Sequence, residues 1–328
     1  MAKFKKVLTL FFRIIISVVL LVLLFKFNKI DFEVLLNDIR GADKLFLALS
    51  FLIFFITHLL GFLRWKMLLN AIEINIPLKK LISSFSGGIF FSIFLPSTIG
   101  GDLVRTADLA VHTNKTKQVI ATVFLDRLSG YIGLVFVVLP AVLLGSDLIY
   151  DKIVFSSVAV IVLLLVVVLL ILFNNSIYSR IGKFLSLPGA GKIKEMIRDM
   201  HREIHVFRNH KKMVAGNLAL SFVIQIIFPV SVYFTGLALG IKINLIYFLI
   251  FLPIISAITL LPIAIGGLGL RESLYVVYFA KAGVIKQLAL AMSLVSFSFM
   301  VFYGAIGGII YVLTVHHRRL QRNQSSSV

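Results

Sequence analysis

The sequence "PSTIGGDLVR" occupies residues 96–105, and a related sequence, "PIAIGGLGLR", occupies residues 262–271. Both fit the pattern P-x-x-I-G-G-x-x-x-R, and the two copies start 166 residues apart in a chain of 328 residues. Each copy interrupts apolar sequence with residues that favour turns and with one charged side chain. The repetition predicts that the chain contains two related halves.

The composition predicts an all-α polytopic membrane protein. Hydrophobic residues make up 59% of the chain, and its mean hydropathy is +1.03, well above the range of soluble domains. Residues 153–173 form one apolar run that meets the bilayer-spanning length of about 20 residues. Basic cytoplasmic loops facing anionic lipid explain the net charge of +19 better than nucleic-acid binding does, since no nucleic-acid motif is present. The chain has no cysteine, which excludes disulfides.

The apolar sequence falls into nine runs. These lie near residues 7–25, 45–65, 81–95, 119–145, 153–173, 213–239, 245–261, 272–283 and 287–315. The first run is long for a signal peptide and lacks a small-residue cleavage site, so we predict a retained span.

The charges of the loops predict the orientation of the runs, because cytoplasmic loops are enriched in lysine and arginine. Both termini and the basic loop 174–212 are predicted to be cytoplasmic. The loop after the second run is also basic when Arg64 is counted as part of it, and we predict that this loop is cytoplasmic. The slightly acidic loop 147–152 is placed outside.

This orientation requires that two segments enter the membrane and return to the same side. Residues 81–95 would turn back at Gly100 and Gly101, and residues 245–283 would turn back at Gly266 and Gly267. We therefore predict about six full spans plus two oppositely inserted re-entrant hairpins, in an inverted-topology repeat. The chain is predicted to be a single domain over residues 1–328, with repeat halves of about 45–145 and 213–315.

Charged residues cluster around the repeated sequences, although a charge within an apolar segment costs about 3 kcal/mol on insertion scales. A glycine pair exposes backbone N–H groups, and a helix that begins after it presents its positive end to an anion. An arginine fork matches two phosphate oxygens, and a neighbouring carboxylate can neutralise it when the site is empty. The candidate substrate-binding residues are Asp102, Arg105, Asp126, Arg127, Arg271, Glu272, Gly100, Gly101, Gly266 and Gly267.

A purely structural interpretation of the same charges stays open. Arg105 and Arg271 could pair with Asp102 and Glu272 only to fix the hairpins, and Asp126–Arg127 could be a buried pair between helices. His58 is interpreted as a packing residue rather than a ligand. We find no metal-binding motif, no nucleotide-binding motif and no catalytic constellation, and we expect no cofactor.

The order of "LPSTIGGDLVR", "ATVFLDRLSG" and "PIAIGGLGLRE" followed by "KAGV" resembles the flippase-like membrane domain of lysylphosphatidylglycerol synthases, the multiple peptide resistance factors. The resemblance spans about residues 8–315 and includes uncharacterised stand-alone members. It implies movement of aminoacylated phospholipid between leaflets, with the charged candidates lining a cavity. The family often has "ER" at Asp126–Arg127 and an arginine within residues 293–299, which are uncharged here. Because the sequence ends at Val328, we expect no cytosolic aminoacyl transferase domain.

The main hypothesis is a lipid translocase in the cell membrane that works by alternating access. Its expected partners are a phospholipid or polyprenyl-phosphate lipid, a separate lipid-modifying enzyme and a second copy of the chain; nucleic acid is not expected. The alternative is an integral-membrane phosphatase or transferase acting on a polyprenyl phosphate, and a non-transporting scaffold is a third interpretation.

Overall fold

A computed structural model of the chain describes residues 2–28, 30–95, 99–113, 115–146, 151–173, 210–261 and 263–325. Its regular secondary structure is α-helical. The helices are α1 (Ala2–Asn28), α2 (Phe32–Arg40), α3 (Lys44–Ala71), α4 (Leu78–Phe94), α5 (Ile99–Thr113), α6 (Thr116–Leu144), α7 (Lys152–Phe173), α8 (Lys211–Ala238), α9 (Leu245–Thr259), α10 (Leu270–Ala280) and α11 (Lys286–Ser325).

Five of the described helices are long and apolar enough to cross a membrane, namely α3, α6, α7, α8 and the Lys286–Thr314 part of α11. They correspond to five of the six predicted full spans, and the sixth prediction, residues 7–25, lies within α1. The chain is therefore a multi-pass α-helical membrane protein, which confirms the predicted fold class.

The two predicted hairpins are the helix pairs α4–α5 and α9–α10, which pack against each other within each pair. Each pair follows one long helix and precedes another, so that α3–α6 and α8–α11 form corresponding sets. The leading helices α3 and α8 both contain 28 residues, and α4 and α9 contain 17 and 15. The corresponding lengths agree with an internal repeat.

Helices α3 and α8 run antiparallel, which gives the repeat its inverted topology. Near the start of α3, the Ser50 hydroxyl lies 2.7 Å from the Thr235 hydroxyl, close to the end of α8. Near the end of α3, the Asn217 amide donates to the Arg64 carbonyl oxygen at 3.0 Å, close to the start of α8. Two helices that lead their halves in opposite directions are what an inverted repeat requires.

The tips of the two hairpins meet. The Gly266 N–H donates to the Leu95 carbonyl oxygen at 3.4 Å, joining the turn of the second hairpin to the end of α4. Gly266 has φ +56°, and a Cβ at this residue would lie 2.7 Å from the Ile93 carbonyl oxygen. Both the backbone conformation and the close approach therefore favour glycine at this tip.

The sequence predicted that a helix begins after each glycine pair, and the structure corrects this prediction for the first hairpin. Helix α10 begins at Leu270, after the pair, but α5 begins at Ile99, so Gly100 and Gly101 lie in its first turn. Gly101 there packs directly against the backbone of Gly88 in α4. The prolines of both repeated sequences, Pro96 and Pro262, lie outside the described residues.

Glycines also allow α11 to approach the first hairpin closely. A Cβ at Gly307 would lie 2.6 Å from the Ser86 carbonyl oxygen, and one at Gly308 would lie 2.6 Å from the Phe90 ring. Small residues at a helix interface let membrane helices pack backbone to backbone, where van der Waals contact is the main attraction. The last helix of the second half is thereby fixed against the first arm of the hairpin in the first half.

The substitution Gly101→Ala is expected to destabilise the protein by about 1–3 kcal/mol, because the added methyl group overpacks the contact with Gly88. The matched control is Gly61→Ala in α3, where a Cβ would lie 3.7 Å from Phe85, an ordinary contact. Thermal unfolding in detergent measures both, and the control is expected to unfold at or above the wild-type temperature, since alanine favours helix. Equal unfolding temperatures for the two variants would contradict the backbone contact.

One partly exposed ion pair joins α7 to the second hairpin. Asp151, which caps α7, accepts a hydrogen bond from Lys281 at 2.5 Å. Lys281 follows α10, so its charge is balanced at the hairpin base rather than deep in the apolar region.

Of the predicted outer loop, residues 147–150 lie outside the described residues, as does most of the basic loop 174–212. The domain limits assigned from the sequence stay a prediction.

The hydrogen bond from Lys281 lowers the pKa of the Asp151 carboxyl below its ordinary value. A carboxyl whose folded pKa is lowered contributes stability above its unfolded pKa, about 3.9 for aspartate, and loses it as the pH falls through the folded value. Between pH 6 and pH 3, we therefore expect the unfolding temperature of Asp151→Asn to fall less than that of the wild type. If the unfolding temperatures of the two proteins fell by the same amount, the ion pair would contribute nothing to stability.

Candidate functional site

The first half carries a continuous network of alternating charges. Asp126 in α6 accepts from Arg64 Nε of α3 at 2.7 Å and from Arg105 Nη2 of α5 at 2.9 Å. The same Arg105 nitrogen lies 2.9 Å from Asp102, whose other oxygen accepts from Arg127 Nε of α6 at 2.5 Å. The network therefore ties α3, α5 and α6 together, and each carboxylate bridges two arginines.

The network lies against an aromatic wall that keeps Arg105 away from lipid. The Arg105 guanidinium stacks 4.6 Å from the centre of the Trp65 ring and lies 5.8 Å from the centre of the neighbouring Phe85 ring. Trp65 is fully buried, and its indole N–H donates to the Thr122 hydroxyl at 3.3 Å. Arg105 follows Asp102 by one helical turn, so the predicted common face of α5 is present.

The second half contains a smaller network at the start of α10. Glu272 is completely buried; it pairs with Arg271 and accepts from the Gly269 N–H at 2.6 Å. Arg271 also donates through Nε to the Ser293 hydroxyl at 3.3 Å and stacks 4.2 Å from the Phe297 ring centre. The carboxylate thus caps the helix N-terminus and orients the arginine at the same time.

One cavity of about 360 Å³ lies between the two networks. Its wall includes Arg64, Asp126 and Arg127 from the first half, and Gly266, Gly267 and Arg271 from the second. Helix α8 supplies Gln225, and further aromatic and hydroxyl side chains complete the wall: Phe54, Thr57, His58, Tyr131, Phe228, Ser256, Thr259, Tyr275, Ser296 and Phe297. The volume lies at the lower end of the range of ligand sites, which is about 300–1,000 Å³.

The cavity brings together five of the ten sequence-predicted site residues, which are Asp126, Arg127, Arg271, Gly266 and Gly267. Asp102, Arg105 and Glu272 are not among the residues that line the cavity. Asp102 pairs with Arg127 and Glu272 pairs with Arg271, whereas Arg105 pairs with the carboxylates of Asp102 and Asp126. Gly100 and Gly101 are not among the residues that line the cavity, because they serve the packing of α4 and α5. Ligand binding by these residues stays a prediction.

Arg64 is the charged wall residue that the sequence analysis assigned wrongly. It was counted with a cytoplasmic loop, but α3 continues to Ala71, and Arg64 faces Asp126 from within the helix. Its Nη1 also donates to the Ser221 hydroxyl of α8 at 3.1 Å. Gly130 leaves room for the guanidinium, since a Cβ there would lie 3.2 Å from Nη1. The hydrophobic residues after Arg64, up to Leu69, were the available signal that the helix continues.

His58 lines the cavity and packs at the same time. Its Nδ1 lies 3.1 Å from the Phe54 carbonyl oxygen, and its ring stacks on Tyr303 at 5.7 Å between centres. The packing interpretation thus describes its contacts correctly but omits that the ring forms part of the wall.

The carboxylates of the site act as partners for arginines. Asp102 and Asp126 each use both oxygens to accept from arginines, and Glu272 accepts from Arg271 and a backbone N–H. Within the described part of the chain, no group of three or more His, Cys, Asp or Glu side chains is arranged to hold a metal ion. The arrangement suits binding and neutralisation of an anion rather than nucleophilic attack by a carboxylate.

The substitution Asp126→Asn is expected to lower the unfolding free energy by about 3–5 kcal/mol, because removing one partner leaves buried charges uncompensated. The control is Asp151→Asn, an equally small change in a partly exposed pair, for which we expect a loss several times smaller at neutral pH. Chemical unfolding in detergent micelles gives both values. Similar small losses for the two variants would mean that the buried network does not stabilise the fold.

Comparison with known proteins gives one family. The family model described as "Lysylphosphatidylglycerol synthase TM region" matches residues 10–308. A UPF0104 membrane protein of Pyrococcus horikoshii is 25% identical over 302 residues, which cover 86% of this chain and 90% of that protein. Two UPF0104 membrane proteins of Methanothermobacter thermautotrophicus are 22% and 24% identical, covering 79% and 80% of this chain and 82% and 81% of their own. No solved structure matches.

The chain belongs to the family of the lysylphosphatidylglycerol synthase transmembrane region, because the family model covers nearly its whole length. The resemblance stated from the two glycine-pair sequences is thereby confirmed.

Proposed function

We propose that this member of the lysylphosphatidylglycerol synthase transmembrane family is a lipid translocase. It moves a phosphate-bearing lipid between leaflets, whether an anionic or aminoacylated phospholipid or a polyprenyl-phosphate-linked lipid. The observation that carries the proposal is a cavity to which both inverted halves contribute arginines, Arg64 and Arg127 from one and Arg271 from the other.

The position of the cavity supports transport. In inverted-repeat transporters the substrate site lies near the bilayer midplane, where interrupted helices of the two halves meet. Here the hairpin tips touch at Leu95 and Gly266, and Gly266 is itself part of the cavity wall. A headgroup bound at this place would contact both halves, so that a movement of one half relative to the other changes the side from which it is accessible.

The chemistry of the wall supports a phosphate as the recognised group. Arginine guanidinium groups bind phosphate oxygens through paired, charge-assisted hydrogen bonds. Arg127 is 37% exposed, whereas Arg105 behind it is 5% exposed. The exposed fork can therefore meet a ligand while the buried one keeps the carboxylates in place.

The phosphatase or transferase alternative finds less support. Such an enzyme needs a nucleophile or an acid cluster that can bind a metal. The carboxylates at depth instead accept hydrogen bonds from arginines and from a helix N-terminus. We infer that the protein works as a transporter, with both termini on the cytoplasmic side of the cell membrane, on a lipid that a separate enzyme supplies.

Substitution of the wall arginines tests the proposal. In vesicles that contain a fluorescent phosphatidylglycerol, Arg127→Ala and Arg271→Ala should each slow translocation about tenfold or more, since a hydrogen bond to a charged group is worth about 1.5–3 kcal/mol. Translocation is measured as the rate at which the lipid becomes accessible to a membrane-impermeant quencher.

The control for this experiment is Lys281→Ala, which removes a cation of the same hairpin outside the cavity. It should translocate at the wild-type rate. Gel filtration in detergent shows whether each variant is folded. Folded arginine variants that keep full activity would refute the proposed site. A wild-type protein that moves neither phosphatidylglycerol, nor lysylphosphatidylglycerol, nor a polyprenyl phosphate in this assay would refute the translocase.

A further inference from the structure

The charges of the cavity wall carry information about which headgroup the site accepts. Among the residues that the structure describes, three arginines reach the wall, Arg64, Arg127 and Arg271, and one carboxylate does, that of Asp126. The wider network contains Arg105, Asp102 and Glu272 as well, so its four arginines still outnumber its three carboxylates. A ligand that entered the cavity would therefore meet an excess of positive charge.

The single carboxylate of the wall is already engaged on both sides. Asp126 Oδ1 accepts from Arg64 at 2.7 Å, and Oδ2 accepts from Arg105 at 2.9 Å. Each arginine reaches it from a different helix, so the carboxylate cannot turn toward a ligand without breaking one of two buried ion pairs. Breaking such a pair is costly, because it leaves a charge uncompensated away from water.

The carboxylates behind the wall are held in the same way. Asp102 bridges Arg105 and Arg127, and Glu272 is completely buried between Arg271 and the Gly269 N–H. The Arg271 guanidinium also lies over Phe297, which occupies an aromatic face that could otherwise attract a ligand cation. Asp102, Asp126 and Glu272 have six carboxylate oxygens between them, and each of the six already contacts an arginine or a backbone N–H.

We infer that the site selects a lipid whose phosphate is not offset by an ammonium group. This inference rests on the proposed function and narrows its substrate class. An ammonium group, as in an aminoacylated or choline headgroup, would meet arginines without a carboxylate to receive it. An uncompensated phosphate with hydroxyl substituents matches the wall, since Thr57, Ser256 and Thr259 supply hydroxyl partners beside the arginines.

Equilibrium binding tests the inference without requiring transport. The full chain in detergent is titrated with short-chain phosphatidylglycerol, lysylphosphatidylglycerol or phosphatidylcholine, and its unfolding temperature is recorded, because a ligand that binds the folded state raises it. Phosphatidylglycerol should bind about tenfold more tightly than either ammonium-bearing lipid, because the ammonium group of the latter makes an unfavourable contact with a like-charged arginine. Equal or tighter binding of lysylphosphatidylglycerol, or no binding of phosphatidylglycerol, would overturn the inference.

Inorganic phosphate provides a further arm, because it offers the same anionic chemistry without acyl chains. It should raise the unfolding temperature less than phosphatidylglycerol at the same concentration. An equal rise would show that the cavity binds free anions, which would overturn the assignment to a lipid headgroup.

A variant links the selectivity to the wall. Arg64→Gln removes one positive charge while keeping a donor for Asp126, so the preference for phosphatidylglycerol should narrow about threefold or more. Lys281→Ala, outside the cavity, should leave the preference unchanged. If folded Arg64→Gln kept the same preference for phosphatidylglycerol, the excess of positive charge would not determine that preference. If Arg64→Gln does not fold, Arg127→Gln at the same wall is used in its place.

The two proposals fail in different ways. Selective binding of phosphatidylglycerol without its translocation would refute the translocase and leave the headgroup inference standing. Translocation of phosphatidylglycerol and lysylphosphatidylglycerol at equal rates, with equal binding, would refute the headgroup inference and leave the translocase standing.

Discussion

The pairing of Asp126 with two arginines from two other helices is the interaction on which the rest of the site depends. Within a bilayer, an unpaired charge is expensive, and water cannot compensate it. Asp126 connects α6 to Arg64 of α3 and to Arg105 of α5, so the first hairpin cannot shift against its flanking helices without exposing a charge. The network therefore sets the position of the hairpin, and the hairpin sets the position of the cavity.

The two halves use different means to reach the same result. In the first half, arginines and carboxylates from three helices form an extended network. In the second half, one carboxylate caps its own helix and holds the adjacent Arg271. Both arrangements leave an arginine at the cavity wall and a carboxylate behind it. The symmetry of the repeat thus survives in the position of the charges, although not in the details of their bonding.

Much of the fold could be predicted from the sequence, because apolar runs mark the segments that avoid water and loop charges limit how those runs can be arranged. The hairpins followed from the same two signals together with the repeated glycine pairs. The early start of α5 at Ile99 could not be predicted, since a glycine pair is compatible with a turn or with a tightly packed helix. Only the contact between Gly101 and Gly88 decides between them.

The site was predicted less completely than the fold. Charges next to the glycine pairs were found, because they are close in sequence to an unusual motif. Arg64 was missed, since its partner Asp126 lies 62 residues away and a charge near the end of an apolar run also fits a loop. The charge balance of the wall depends on Arg64. Its role follows from the packing of α3 against α6 and α8, which the sequence does not show.

Trp65 is the only tryptophan of the chain, and it lies beneath Arg105 with its indole N–H bonded to Thr122. Its neighbour in sequence, Arg64, belongs to the cavity wall. All indole emission of this protein therefore originates from one place, beside the guanidinium groups of the first half. The native chain carries a built-in optical probe for any rearrangement of its buried charges, with no label to be introduced.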